Sequence, residues 1–449
     1  MDLAEVAPLR RARTLQPLSE LRRERTRPPS MREKIGARWH KSRLARSSAK
    51  TPEPPMARPK VKLRDGDVEA FRNLAHSVVS RTLAHECEYR RQGCPEPDAH
   101  EWKLAKRHHR LRVYKCKMQP EFQPSLSQEN GLARAPTAFC EGTIDGSLED
   151  VLYGLHAKTR REMHVANTFL HNGHLECAVL SVIERGSDRD PFKHLALKWT
   201  LAQNFGEAKS GSYRDVCTIE SMGSGVDGRG ERFGYRLIKS VDLADYPQLS
   251  TSNDIVRARM TMCCIFRQVA NARIVRVYSK GMLDMGEEGP SFRPNSDAAC
   301  TMMLSIASAT EIAEAKRLTL LALQRAEYSA CLSQRTCDDS NAEDSSRETE
   351  ATITSPLRAE GFDPRASFLQ KMPSDPCSVC GKKPTMSKFV RASHRSCGVC
   401  KQPACHKCHV KRRLFARSDV VVVACCKICI IASKRLRVDP RDPCPMLSA

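Results

Sequence analysis

Four cysteine pairs with the spacing Cys-x-x-Cys lie close together near the end of this 449-residue sequence. Two thiolates separated by two residues can point at one tetrahedral metal ion, because a tight turn brings both sulfurs within about 2.3 Å of it. One pair needs a second pair to complete a four-ligand structural site, so four pairs predict two Zn²⁺ ions. The eight predicted metal ligands are Cys377, Cys380, Cys397, Cys400, Cys405, Cys408, Cys426 and Cys429.

The gaps between successive pairs are 16, 4 and 17 residues, and they leave the pairing open. The second and third pairs are close enough to share one ion. In a cross-braced arrangement, the first pair instead joins the third pair and the second pair joins the fourth. The spacing alone does not choose between these two arrangements.

The order of the pairs, with a basic segment before the second and a hydrophobic strand leading into the fourth, resembles a FYVE-type zinc finger, which is cross-braced. The resemblance implies one zinc ion on Cys377, Cys380, Cys405 and Cys408, and the other on Cys397, Cys400, Cys426 and Cys429. A RING-type ubiquitin ligase module is the nearest enzymatic alternative. RING fingers normally place a histidine in the third ligand pair, whereas this chain has cysteines there.

The lipid-binding signature of FYVE fingers is only partly present. Fingers that bind phosphatidylinositol 3-phosphate carry WxxD before the first pair, R-(R/K)-H-H-C-R at the second and R-V-C at the fourth. This chain has no Trp directly before Cys377, reads RASHRSCG at the second pair with Gly398 in place of the last Arg, and has Ala424 before the fourth. Basic character remains, so the resemblance implies acidic membrane lipids as partners, with phosphatidylinositol 3-phosphate as one candidate. The predicted membrane or phosphoinositide contacts are Arg391, His394, Arg395, Lys411, Arg412 and Arg413.

The segment Lys411–Phe415 is predicted to supply a basic contact together with an apolar tip, Leu414 and Phe415. The whole chain is strongly basic, with a formal charge of +22, which favours anionic partners such as acidic membranes, nucleic acid or acidic proteins. Nucleic acid is the least favoured of these, because only 5% of residues are aromatic and bases stack on aromatic side chains.

Cysteines outside the four pairs are scattered through predicted strands and helices, which fits a reducing compartment and predicts a cytoplasmic protein. The longest apolar run, Val420–Cys426, is far shorter than the roughly 20 residues of a spanning helix. The N-terminus lacks the apolar region of a secretory signal. We find no HExxH motif, nucleophile elbow or paired carboxylates, so no catalytic residues are predicted and we expect a non-enzymatic protein.

The chain before the finger predicts an α+β layout. An amphipathic helix spans Asp65 to about Arg90, Ser147 with Asp150 caps a short helix, and a long helix runs from Ser296 to about Ala330. Strand Ile255–Arg267 alternates buried and wet positions, which is typical of an antiparallel sheet. The remaining predicted strands are His109–Met118, Thr137–Ile144, His174–Glu184, Lys193–Ala202, Arg214–Ser221, Arg232–Ser240 and Ala272–Leu283.

This order of elements resembles the START-like helix-grip fold, in which a curved sheet wraps the C-terminal helix around a lipid-sized cavity. The resemblance spans residues 61–330 and implies an apolar lipid ligand. Two interpretations of the methionine-rich positions stay open: they line a cavity, or they fill a solid core. The candidates are Met260, Met262, Met302, Met303 and Phe266.

The predicted organisation is a disordered basic arm (1–60), a START-like domain (61–330), a flexible acidic linker (331–372), a FYVE-related finger (373–437) and a tail (438–449). The linker is expected to let the two modules move independently. The predicted function is a lipid- and membrane-associated adaptor, peripheral on endosomal-type membranes. The alternative is a zinc-finger scaffold that binds a protein, for example a Rab GTPase, without lipid transfer.

Overall fold

A ten-stranded sheet forms the larger part of the structure, a computed structural model that describes residues 60–117, 137–171, 175–202, 213–244, 246, 255–285, 296–338, 375–384, 394–417 and 419–448. The predicted arm and nearly all of the predicted linker lie outside the described residues. The strands are β1 (Trp102–His108), β2 (Leu111–Cys116), β3 (Ala138–Asp145), β4 (Leu175–Glu184), β5 (His194–Ala202), β6 (Tyr213–Val226), β7 (Arg232–Ser240), β8 (Ile255–Arg257), β9 (Arg259–Gln268) and β10 (Ile274–Asp284).

Nine strands follow one another across the sheet in the order β1-β2-β3-β10-β9-β7-β6-β5-β4, and all of these neighbours are antiparallel. The short strand β8 pairs in parallel with the start of β6. The helices are α1 (Asp65–Arg91), α2 (Leu148–Leu155), α3 (Arg160–His171), α4 (Ser296–Leu304), α5 (Ala309–Asp338) and α6 (Lys427–Arg435). We call residues 61–338 the sheet domain.

Helix α1 covers one face of the sheet, where its Ala75, Val78 and Val79 pack in a cluster that includes Leu197 and Trp199. The predicted helix from Asp65 to about Arg90 is therefore confirmed. Apolar positions recur every three to four residues along α1, so one stripe of the helix meets the apolar face of the strands.

The opposite face of the sheet carries helix α4, which contacts β1, β2, β3 and β10, while α2 packs on α5. Side chains of β9 alternate between the two faces as predicted, with Met260, Met262 and Phe266 in the cluster on this face. The opposite face was predicted to be wet, and this is wrong: Cys263 is buried in the cluster beneath α1, because α1 covers that side of the sheet. An antiparallel sheet gripping its C-terminal helices confirms the predicted α+β, helix-grip class. Among the described residues, no helix has the length and apolar character needed to cross a bilayer.

The C-terminal helix differs from the prediction, because a 3₁₀ turn at Ser305–Ser308 separates α4 from α5. An Ala- and Ser-rich stretch fits either helix type, so its sequence gives no signal for the break. Helix α5 also continues to Asp338, inside the predicted linker. Helix α3 was not predicted, and the predicted strand Ile255–Arg267 is divided at Ala258.

The predicted cap of α2 is confirmed. The Asp150 N–H donates to Ser147 Oγ at 3.1 Å, and the Ser147 N–H donates to Asp150 Oδ2 at 3.0 Å. Gly154 of α2 lies against α5, where a Cβ atom would stand 1.8 Å from the carbonyl oxygen of Ala309. Glycine is therefore required for the close approach of these two helices.

Candidate metal centre

The eight predicted ligands form two separate groups of four sulfurs. Within each group, all sulfur atoms lie within 4.8 Å of one another. One group joins the first and third pairs, and the other joins the second and fourth, so the cross-braced arrangement implied by the FYVE resemblance is confirmed. The groups are Cys377, Cys380, Cys405 and Cys408, and Cys397, Cys400, Cys426 and Cys429.

The sulfur separations fit a tetrahedral metal ion. Four bonds of about 2.3 Å place ligand sulfurs roughly 3.8 Å apart. The Cys380–Cys405 sulfurs are 3.7 Å apart, and the Cys397–Cys429 and Cys400–Cys426 sulfurs are 3.9 Å apart. Each group is therefore already spaced to hold one metal ion.

Backbone N–H groups point at several of these sulfurs. The Cys405 N–H donates to Cys377 Sγ at 3.3 Å, and the N–H groups of Val399 and Cys426 donate to Cys397 Sγ at 3.4 and 3.3 Å. Donors around a ligand sulfur stabilise the thiolate, which is the form that binds metal.

The pKa values of the thiols reflect these donors. Burial raises the pKa of Cys377, but N–H groups of Cys405, Val379 and Cys380 outweigh burial and bring it down to about 6. The pKa of Cys397 lies far below its usual range, because its contacts with the Cys400 and Cys429 side chains favour the thiolate. Each group thus holds one cysteine whose thiolate form is favoured.

The first two pairs lie in matching turns. The Gly381 N–H donates to the Cys377 carbonyl and the Lys401 N–H to the Cys397 carbonyl, both at 2.8 Å. The residue after each second cysteine has a positive φ, 68° at Gly381 and 60° at Lys401. The two turns share one conformation, yet only one of them uses glycine, the residue that adopts it without strain.

Two short hairpins and a helix carry the other ligands. Strand β11 (His394–Ser396) pairs with β12 (Pro403–Cys405), and β13 (His409–Phe415) pairs with β14 (Val420–Cys426). Cys426 ends β14 and caps α6, where its sulfur accepts the Cys429 N–H at 3.4 Å. Helix α6 was not predicted, although it begins directly after a ligand. We call residues 375–437 the finger.

Strand β13 docks the finger onto helix α5 of the sheet domain. The Phe415 N–H donates to Thr319 Oγ1 at 2.9 Å, and Arg412 Nε donates to Glu314 Oε1 at 2.6 Å. Arg413 stacks on Phe169 of α3, with its guanidinium carbon 3.6 Å from the ring centre. The prediction that the two modules move independently is therefore wrong.

The predicted apolar tip is also wrong, because Leu414 and Phe415 are both 0% exposed. Their side chains pack against α5, close to Leu318 and Ala315 respectively. Basic residues followed by apolar residues are expected in an exposed membrane-binding tip. The same order is expected in a strand that packs on a helix carrying acidic residues. The acidic residues that decide between the two lie about 100 positions earlier in the chain.

The six predicted membrane contacts do not form one exposed surface. Arg391 lies outside the described residues, and His394 is 1% exposed, with Nε2 2.8 Å from the carbonyl oxygen of Lys382. Arg412 and Arg413 pair with Glu314 and Glu311. Arg395 and Lys411 are exposed.

Gly398 stands where the FYVE signature has its last arginine of the second pair. A Cβ atom at Gly398 would lie 2.7 Å from the Val423 side chain of β14. The turn at the second pair is packed so closely on this strand that no larger side chain fits without movement. The packing on Val423 therefore explains why this position carries glycine.

Residues 438–448, the C-terminal segment, return to the sheet domain. The Leu447 N–H donates to the Phe415 carbonyl at 2.9 Å, and Lys158 Nζ donates to the carbonyls of Pro440 and Arg441 at 2.7 Å. Cys444 and Met446 pack with the cluster around Phe415. The segment therefore joins both parts of the molecule.

The sheet domain also buries polar groups that sequence reasoning missed. Lys198 Nζ pairs with Glu220, which also accepts from Arg236 Nε at 2.7 Å. Beside them, the rings of His156 and His194 lie 5.5 Å apart. Among the described residues, the Nε2 atoms of both rings are buried without a hydrogen-bond partner. No spacing in the sequence links these side chains, which come from α2's end, β5, β6 and β7.

The chain matches no protein-family model and no curated protein sequence. Among solved structures, it is similar to the human StarD13 (DLC2) lipid transfer and protein localization domain, at 10% identity over 51% of this chain and 94% of that chain, with a TM-score of 0.31. It is similar to human StAR-related lipid transfer protein 5, at 15% identity over 53% and 97%, with a TM-score of 0.31. It is also similar to a fragment of a STAR-related lipid transfer protein from Xanthomonas axonopodis, at 16% identity over 47% and 94%, with a TM-score of 0.28. No functional inference follows from similarity at these TM-scores.

Proposed function

We propose that this protein is a non-enzymatic, lipid- and membrane-associated adaptor. Its sheet domain takes an apolar ligand, and its finger holds two zinc ions and docks on acidic membrane surfaces. The observation that carries the proposal is the helix grip itself: one sheet face, rich in apolar and methionine side chains, closes on the C-terminal helices. An apolar ligand would bind in this interior, since methionine adapts to irregular shapes.

Zinc is the metal that we propose for the two groups. Closed tetrahedral sets of four cysteine sulfurs are the usual structural zinc site, and the same donors also suit iron–sulfur groups and Cu(I). The donors to the sulfurs and the closed, four-ligand geometry favour a structural ion over a catalytic one, because a catalytic ion keeps one position open.

Native mass spectrometry of the full chain purified from cells tests both halves of the proposal. We expect a mass that includes two zinc ions and a co-purifying lipid. The variant Cys405→Ser should lose one zinc ion and keep the lipid, because its sulfur lies in the finger. Purified protein with no bound lipid, or with only a polar ligand, would contradict the proposed apolar ligand. Fewer than two bound zinc ions would contradict the proposed zinc sites.

Membrane docking of the finger is supported by its charge. The finger (375–437) contains fifteen Lys or Arg and two Asp, and eight thiolates with two Zn²⁺ subtract four charges, which leaves +9. A well-placed Lys or Arg near an anionic leaflet adds about 1 kcal/mol to binding, screened by salt. We propose that the protein is cytoplasmic and peripheral on endosomal-type membranes, with phosphatidylinositol 3-phosphate as one of the acidic lipids it meets.

The proposal of a non-enzymatic role is supported by how the buried charges are used. Arg267 pairs with Glu86 of α1 at 2.9 Å, and Arg257 pairs with Asp215 at 2.9 Å. Both pairs join neighbouring elements of the sheet domain, as expected of structural ion pairs. An assay for hydrolysis of bound lipid should show no turnover.

A second candidate function is a protein-interaction scaffold, for example for a Rab GTPase. The observation that favours it is the burial of His394, which withdraws one of the predicted lipid contacts into the finger. Pull-down with the full chain distinguishes the two functions. A protein partner retained at high salt and lost with Cys405→Ser would support the scaffold, whereas loss of all partners at high salt would contradict it.

A further inference from the structure

Helix α6 presents two isoleucines to solvent. Ile428 is 49% exposed and Ile431 is 53% exposed, and they lie one turn apart on the same face of the helix. The opposite face is buried, because Cys429 binds in the metal group and Ile430 packs in the finger core. The exposed isoleucines are therefore held outward by a helix that the metal ligands anchor.

The exposed isoleucines border an open groove between α6 and α5. The groove is about 550 Å³ in volume, and Leu321 of α5 forms part of its wall. Its other lining residues are Ile428, Ile431, Ala432, Arg435 and Leu436. The floor is thus almost entirely apolar, with one cation at its edge.

Cations surround the apolar surface. Lys427, Lys434 and Arg435 are exposed on the same helix, Arg437 lies two residues beyond its end, and α6 contains no acidic residue. The long stems of Lys and Arg can lie along an apolar layer while their charged ends reach toward phosphate groups. A small apolar surface with a cationic rim matches the boundary between acyl chains and anionic headgroups.

We propose that α6, with Ile428 and Ile431 at its centre and Lys427, Lys434 and Arg435 around them, is the surface by which the finger enters an anionic membrane. This inference rests on the proposed membrane docking of the finger and names the surface that performs it. It replaces the Lys411–Phe415 segment in that role, because α3 and α5 already bind Arg413 and Phe415 and leave only Lys411 of that segment exposed. The occupant is a lipid surface, since the basic rim complements anionic headgroups along the whole helix.

Vesicle co-sedimentation with the full, zinc-loaded chain tests this surface. Vesicles of phosphatidylcholine are compared with vesicles that also contain phosphatidylserine. We expect wild type to bind the acidic vesicles, Ile428→Ser/Ile431→Ser to bind them about tenfold less tightly through lost apolar burial, and Lys434→Gln/Arg435→Gln to bind about 30-fold less tightly at low salt. Unchanged zinc content shows that the variants remain folded.

Matched controls come from the same finger. Val422 of β14 is 60% exposed and Lys411 of β13 is exposed, so Val422→Ser and Lys411→Gln remove comparable groups from another surface. Both control variants should bind the acidic vesicles like wild type. If they weaken binding and the α6 variants do not, the inference about α6 is wrong while membrane docking stands. If wild type itself fails to bind acidic vesicles, membrane docking and the inference both fail.

Depth of insertion provides an independent measurement. The finger contains no tryptophan, so Ile431→Trp and Val422→Trp each add one reporter to it. Acyl chains carrying bromine should quench the fluorescence of the Trp at position 431 and leave that at position 422 unchanged. Equal quenching at both positions, or none at either while the chain is bound, would overturn insertion through α6. Equally tight binding to uncharged vesicles would overturn the role of the cationic rim.

Discussion

The interior of the sheet domain consists of aliphatic, aromatic and methionine side chains, whereas the interior of the finger consists largely of cysteine sulfur. The cluster under α4 contains nearly thirty buried residues, among them Leu, Ile, Val, Met and Phe. The finger's cluster contains seven buried cysteines and also includes Leu318 and Ala322 of α5. A large domain can stabilise itself by burying apolar area, but a unit as small as the finger needs metal ions as well.

The two regions also differ in how they bury charge. The sheet domain pairs its buried ions across elements, as Glu86 of α1 does with Arg267 of β9. The finger concentrates its negative charge in two groups of thiolates, which only a cation can balance. This difference predicts that metal removal unfolds the finger while the sheet domain stays folded, and that acid destabilises the sheet domain.

Metal removal should have the largest effect. A structural zinc ion contributes on the order of 10 kcal/mol to the folding of a small domain. With a strong chelator, we expect the finger's amides to lose protection from hydrogen exchange while Trp199 of the sheet domain stays buried. Cys426→Ala should lose one metal ion, whereas its neighbour Cys425→Ala, which is buried but binds no metal, should keep both. Loss of metal from both variants would contradict the ligand assignment.

Acid should weaken the sheet domain through two histidines. Burial, followed by the charges of nearby Lys316 and Lys198, lowers the pKa of His156 to about 2 and that of His194 to about 4. In the unfolded chain both pKa values are about 6.5, so the unfolded state binds more protons below that pH. The stability they provide is complete above pH 6.5 and is lost as the pH falls toward the folded pKa values.

At pH 5 this loss amounts to about 2 kcal/mol for each histidine. Urea unfolding in a Trp39→Phe background, followed by tryptophan fluorescence, reads the sheet domain alone, because the remaining Trp102 and Trp199 both lie in that domain. The double variant His156→Asn/His194→Asn should flatten the dependence between pH 7 and pH 5. The exposed His109→Asn serves as control and should leave the slope unchanged. A steep slope in the double variant would show that other groups cause it.

Removing one partner of the buried ion pair of α1 should cost less. Glu86 is 3% exposed, and Glu86→Gln removes one of three carboxylates around Arg267, which keeps Asp227 and Glu231. We expect the free energy of unfolding to fall by about 2 kcal/mol, the cost of a lost hydrogen bond to a charged group. Glu88→Gln, on the same helix, removes exposed contacts with Arg91 and Gln92 and should leave the urea midpoint nearly unchanged. The urea midpoints measure both. Equal midpoints for the two variants would mean that the buried pair contributes no more than a surface pair.

The smallest effects are expected at the two matching turns of the finger. Gly381→Ala puts a Cβ atom on a backbone with positive φ and should weaken metal binding by about 1 kcal/mol, or about fivefold. Lys401→Gly relieves the same strain and should strengthen binding by a similar or smaller factor. Competition with a chelator measures both affinities. A tighter Gly381→Ala variant would show that the turns are not equivalent.

The metal ligands were predictable because Cys-x-x-Cys is a local pattern, and the cap of α2 was predictable because Ser147 and Asp150 contact each other within one turn. Strand alternation likewise predicted which side chains share a face, as at Met260 and Met262 of β9, but not that α1 buries the other face. The position of the finger on helix α5 of the sheet domain was not predictable in this way. Arg412 meets Glu314 only because the fold brings together residues 98 positions apart.

Helix α6 escaped prediction for a different reason. Its isoleucines do not form one stripe: Ile430 is buried, whereas Ile428 and Ile431 face solvent. Periodicity methods assume that apolar residues mark the buried face. The histidines of the sheet domain escaped because nothing in a sequence indicates that His156 and His194, 38 positions apart, will lie side by side.

The finger and the C-terminal segment together contact the sheet domain at two separate places. If the chain were cut between α5 and the finger, the C-terminal piece would still bind the sheet domain at two places. At one, the Phe415 N–H of β13 donates to Thr319; at the other, Lys158 donates to the Pro440 carbonyl. Each attachment keeps the other at high effective concentration, so both must open together before the piece departs. Proteolytic nicking would therefore change the chain's mass under denaturing conditions long before it changed the size of the native particle.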